Sequence, residues 1–153
     1  MVARWLTVLC LVVGLFTGLS GCSVVHINGS YVTDDSVLCV VPPEKSDYRF
    51  EQRLLLLLRK KGFSPRVYPV GSSPKVCRQV LYYDWARVDY ILPVPMKQYA
   101  FNFDLYIAGE KYANASFDPQ RNLMSQHVKI VRYSRYMARV LDRLFPGRPR
   151  IGF

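Results

Sequence analysis

The chain has 153 residues, half of them hydrophobic, with 11 tyrosines and 8 phenylalanines. That suits one domain with its own core plus a targeting segment, and it excludes a globally disordered chain. The formal charge is +10, a surplus that draws a protein to nucleic acid, acidic lipid head groups or acidic proteins, so the compartment has to be settled first.

Residues 1–4 carry one positive charge, Arg4, and residues 5–19 carry none. A spanning helix needs roughly 20 apolar residues, so this run is short for a lasting anchor and has the length of a signal h-region. Gly14 and Gly18 weaken it further as a permanent helix. Leu19-Ser20-Gly21-Cys22 follows directly and resembles a bacterial lipobox. The Cys22 thiol is the group that takes a diacylglycerol, and small residues before it thread into a peptidase site. Cleavage then frees the Cys22 amine for a further acyl chain such as palmitate, and two or more chains hold a protein stably. The alternative is an uncleaved anchor with a chance cysteine. Residues 1–21 are thus read as a lipoprotein signal peptide, and its loss leaves +9 on the mature side chains (10 minus 1). Ser23 stands where an aspartate favours inner-membrane retention in known lipoproteins, so the pattern resembles the outer-membrane one, with the domain facing the periplasm.

Of the four cysteines, Cys10 leaves with the signal and Cys22 is acylated. Cys39 and Cys77 remain in an oxidising compartment, where an even pair is expected to form a disulfide. The bridge closes a loop worth about 3–4 kcal/mol by chain entropy; the other reading is two buried free thiols.

Along the mature chain, residues 22–35 contain Asn28, Gly29, Ser30, Asp34 and Asp35 and read as a flexible tether. Residues 36–41 are a short apolar run stopped by Pro42-Pro43, a buried strand. Ser46 is placed to cap a helix in which Phe50, Leu54, Leu57, Leu58 and Lys61 recur at helical spacing and Gly62 marks the stop. Leucines fill positions 54–58, so more than one side of this helix should be covered. Residues 63–70 read as a strand, with Pro65 and Pro69 pointing to an edge. Residues 76–88 form a longer strand, with Val76, Arg78, Val80, Tyr82 and Asp84 on one side and Cys77, Gln79, Leu81, Tyr83 and Trp85 on the other. Residues 97–108 alternate again, placing Tyr99, Phe101, Phe103, Leu105 and Ile107 together. A hairpin turn at Gly109 leads to residues 111–117. Ser125 is placed to cap a last helix over residues 126–145, ended by Pro146-Gly147. The order β-α-β-β-β-β-α predicts an α/β (α+β) domain over residues 36–146, one mostly antiparallel sheet with two helices on one face, followed by a tail at 147–153.

No catalytic constellation emerges. The two histidines, His26 and His127, lie far apart in sequence, and no metal-spaced cysteine pair, Gly-rich phosphate loop or Gly-x-Ser-x-Gly elbow occurs. Asp84, Asp89 and Asp104 flank the aromatic strands and read as solvated strand-end carboxylates. The chain is therefore expected to be no enzyme and to need no cofactor or metal. The organised surface feature is basic: residues 125–153 hold seven Lys or Arg against the single acid Asp142. Lys129, Arg132, Arg135, Arg139 and Arg143 share one side of the last helix, suited to bidentate contact with phosphate or carboxylate. Either this is a solvated face, or it docks on an envelope protein or lipopolysaccharide; an exported chain has no nucleic acid to meet.

With Cys39 in the first apolar strand, Cys77 opening the third, the run Leu81-Tyr82-Tyr83-Asp84-Trp85, Gly109, and Ala113-Asn114-Ala115-Ser116-Phe117 as a closing hairpin, residues 37–120 resemble a family of small uncharacterised outer-membrane lipoproteins of Gram-negative bacteria. Members usually carry a tryptophan-rich stretch where this chain has Trp85 alone. The resemblance implies outer-membrane localisation and the disulfide, and no known activity. The architecture is also similar to accessory lipoproteins of lipopolysaccharide assembly. The expected role is a membrane-anchored, non-enzymatic accessory or binding protein of the envelope. A second expectation is a periplasmic small-ligand carrier, with its pocket between the Leu-rich helix and the aromatic sheet.

Overall fold

The computed structural model describes residues 25–90, 96–119 and 133–152. The signal segment, the lipobox with Cys22, Ser125, His127, Lys129 and Arg132 lie outside the described residues. The elements run β1 (Val25–Asn28), β2 (Val37–Val41), α1 (Tyr48–Lys60), β3 (Ser64–Val67), β4 (Gln79–Tyr90), β5 (Met96–Ile107), β6 (Glu110–Phe117) and α2 (Tyr133–Leu144). The expected α+β order is present, with one further strand in front of it.

That strand corrects the reading of a tether over residues 22–35 for its described part, from Val25 on. Val25 and Ile27 alternate with His26 and Asn28, and the four residues pair antiparallel with β6 from Val25↔Phe117 to Asn28↔Asn114. The alternation is the sheet period, hidden by its brevity and by the polar residues after it. The rest of the segment is also tied down: the Tyr31 amide donates to the Leu144 carbonyl at 2.7 Å, and the Val37 amide donates to Asp35 Oδ1. The expected tail is docked as well. Ile151 is buried, and its amide donates to Asp142 Oδ1 at 3.1 Å.

The six strands lie in the order β1-β6-β5-β4-β2-β3. β2 is parallel to both β3 and β4, while β4, β5, β6 and β1 pair antiparallel in turn. Pro65 sits on the edge strand β3, as its missing N–H requires. The β5–β6 turn holds two positive-φ residues, Ala108 at 52° and Gly109 at 90°, the combination a tight two-residue hairpin requires.

Both helices cover one face. Leu54, Leu55, Leu57 and Leu58 of α1 and Met137, Val140, Leu141 and Leu144 of α2 meet Leu38, Leu81, Phe101, Phe103, Leu105 and Ala115 of the sheet. Of the five leucines only Leu56 is exposed, so α1 is covered on most sides. The cap differs from the expected one: Asp47, not Ser46, takes the Phe50 amide on Oδ1 at 2.9 Å. A carboxylate there also complements the positive end of the helix dipole.

The opposite face carries a second, smaller cluster of Cys39, Val41 and Val80 with Cys77, Tyr68, Tyr82 and Tyr106 around it. Here Cys39 and Cys77 form a disulfide with Cα atoms 6.2 Å apart. Cys77 lies in the bend before β4, outside the strand register. Its side chain therefore joins Val80 and Tyr82, not Leu81 and Tyr83 as strand alternation through residue 77 implied.

Candidate binding surfaces

Three surfaces hold the residues singled out above. The first is the basic side of α2. Its apolar side packs on β6, β1 and β5, which turns Arg135, Arg139 and Arg143 outward, all exposed. Arg139 lies 5.6 Å from the Tyr136 ring centroid, and Tyr136 stacks on Phe117 at 4.3 Å. The described part of the predicted stripe is thus three exposed guanidiniums, with that of Arg139 lying over the Tyr136 ring.

The second is the end of the domain that holds the start of α1 and the first described turn of α2. Phe50 lies at its centre, with Tyr83, Trp85, Tyr99, Phe101 and Tyr133 all within 6.4 Å of it, centroid to centroid. Their polar atoms are tied to the start of α1. The Tyr83 hydroxyl donates to Glu51 Oε2 at 2.9 Å, and the Tyr99 hydroxyl donates to Asp47 Oδ2 at 3.2 Å. The Trp85 indole N–H donates to the Lys45 carbonyl at 2.8 Å. Burial first, then the Glu51 hydrogen bond, pushes the Tyr83 hydroxyl well above its ordinary range, so it remains a donor. Tyr48 stands out at this end, 75% exposed. Deeper in, Leu54, Leu57, Leu58, Phe103 and Leu105 are buried together between α1 and the sheet.

The third is the sheet face away from the helices. Asp84 pairs with Asn102, and Asp104 with Tyr82, so the two carboxylates share this face on a diagonal. Asp104 is engaged: its Oδ1 accepts from Asn114 at 2.7 Å and from Asn102 at 3.3 Å, and Lys111 sits 2.9 Å from Oδ2. Burial alone would raise its pKa. The hydrogen bonds from Asn114 and Lys111 and the lysine charge outweigh that and hold it below the usual carboxylate range. A carboxyl so held stays ionised near neutrality and makes a poor proton donor. Asp84 Oδ1 accepts the Trp85 amide. The side chain of Asp89 lies outside the described residues. Among the described residues no group of three His, Cys, Asp or Glu is gathered to hold a metal.

Helical spacing places Lys61 on the first helix but does not give its charged partner. Lys61 is fully buried, and its Nζ meets Asp142 Oδ1 at 2.7 Å and the Arg148 carbonyl at 3.3 Å. The signal was in the sequence: Lys61 falls on the apolar stripe of the first helix, and Asp142 is the single acid of the last 29 residues. The pair joins the two helices and so belongs to the fold, not to a binding surface.

No family model matches the chain, and no curated protein matches it. Among solved structures it is similar to a PelC dodecamer from Paraburkholderia phytofirmans, at 18% identity and a TM-score of 0.46, over 79% of this chain and 98% of that one. It is also similar to a minor lipoprotein from Acinetobacter baumannii, at 13% identity and a TM-score of 0.39, over 77% and 97% of the two chains. Likeness at these values is too remote to carry a function, and the functional reading rests on this chain's own residues.

Proposed function

We propose that this protein is a lipid-anchored, non-enzymatic accessory protein of the bacterial envelope, held at the periplasmic side of the outer membrane by Cys22. It recruits an anionic envelope partner through the basic side of α2. The observation that carries the compartment is the Cys39–Cys77 disulfide. Disulfides persist in exported proteins and are rare in the cytosol, and the bridge agrees with the signal segment and lipobox that precede the domain. The observation that favours binding is the set Arg135, Arg139 and Arg143, which face outward from a helix whose other side is locked into the core. Arginine suits a partner that presents phosphates or carboxylates, because its fork pairs with both oxygens at once.

The experiment is charge reversal. The triple variant Arg135→Glu, Arg139→Glu, Arg143→Glu is expected to keep its thermal unfolding, since all three side chains are exposed, and to lose the envelope partners that crosslink to the wild type in cells. Undiminished crosslinking in a folded triple variant would show the arginines to be a solvated face.

A further inference from the structure

The strand register fixes which end of the domain faces the bilayer. Val25 already belongs to the sheet, so only Ser23 and Val24 separate it from Cys22. Three Cα–Cα steps reach at most about 11 Å, which keeps Val25 that close to the plane of the lipid anchor. Val25 is level with Phe117, Phe117 with Phe101, and Phe101 with Trp85. From that level the β4–β5 ladder continues alone for five more pairs, to Tyr90↔Met96. At about 3.3 Å per residue the hairpin overhangs β1 and β6 by about 16 Å. The overhang is longer than the linker, so the anchor draws the hairpin to the bilayer.

We propose that this end of the domain is its membrane-seated surface, with the hairpin ladder and the aromatic cluster at the headgroup layer of the bilayer that holds Cys22. The proposal rests on the lipid-anchored reading above. Its side chains are those that favour a membrane–water boundary: Trp85 and Tyr99 at the sheet end, Tyr133 at the start of α2 and the exposed Tyr48 at the start of α1. Each has an apolar ring and a polar edge. α1 and the described part of α2 run from this end away from the bilayer, so Arg135, Arg139 and Arg143 rise along the helix. Their eight-residue span is about 12 Å of axis, and it faces a neighbour beside the domain rather than the protein's own membrane.

The mature chain supplies its own reporter. Tryptophan occurs twice, at Trp5 and Trp85, and removal of residues 1–21 leaves Trp85 alone. The lipidated protein, purified from membranes, is reconstituted into phosphatidylethanolamine–phosphatidylglycerol vesicles containing phosphatidylcholine brominated near the carboxyl end of its acyl chains. Trp85 emission is expected to shift to the blue and to lose intensity against unbrominated vesicles. A Lys60→Trp, Trp85→Phe variant carries its reporter at the far end of α1 and is expected to lose none. Flotation with the vesicles and the acylated mass of the N-terminal peptide are read on the same samples. A chain that floats and is acylated but shows unquenched Trp85, or equal quenching at position 60, overturns the orientation alone. A chain that is unacylated and does not float overturns the anchored reading, and the orientation with it.

Discussion

Removal of the disulfide by the double substitution Cys39→Ala, Cys77→Ala is expected to cost about 4 kcal/mol of unfolding free energy. The bridge closes a 38-residue loop, and the chain-entropy relation gives roughly that value for a loop of this length. The packing term has the same sign, because Cys39 is fully buried against Val41 and Val80. The bridge also holds the segment between β3 and β4 over the sheet face opposite the two described helices, where Tyr82 reaches the Ser72 carbonyl. Urea unfolding of the oxidised wild type and the double variant measures the difference directly. Equal stabilities would show that the bridge does not stabilise the fold. The same experiment bears on the compartment: wild type made in a reducing cytosol should unfold like the double variant until it is oxidised.

Lys61→Met is expected to cost about 3 kcal/mol, because it strands Asp142 at a largely enclosed position; breaking a buried pair from one side typically costs 3–5 kcal/mol, and Asp142 is partly open to water. For a domain of this size that lowers the melting temperature by roughly 10 °C. The double variant Lys61→Met, Asp142→Leu is expected to cost less than the two single losses summed, since it leaves no unpaired charge. It does not return fully to wild type, because Asp142 also accepts the Ile151 amide. Additive losses would mean that the ammonium and carboxylate act independently across the helix pair.

The sequence was most legible where a period ran long. Tyr99, Phe101, Phe103, Leu105 and Ile107 alternate over the length of β5, and all of them face the helices. The run of leucines announced a helix covered on most sides, and Gly109 and Pro65 announced a hairpin turn and an edge strand by backbone requirement alone. Reading failed where the period was too short to register. β1 has four residues and owes its place to β6, a partner about ninety residues away in sequence. Strand alternation carried back to Cys77 gives the wrong face, because the strand starts only at Gln79. Asp47 displaced Ser46 as the cap, and the Tyr99 hydroxyl that shares its carboxylate comes from a strand some fifty residues later. These errors arise because tertiary contacts select among local options that single residues leave open. Of the candidate surface, the basic side of α2 followed from helical spacing. Its proposed elevation above the membrane did not, because that depends on β1.

Non-reducing mass spectrometry of the chain purified from membranes tests whether Cys22 anchors an oxidised domain. The expected product begins at Cys22, carries acyl chains on that residue and yields the Cys39 and Cys77 peptides joined. A chain that retains residues 1–21, or an unmodified Cys22 at the start of a membrane-released protein, would contradict it.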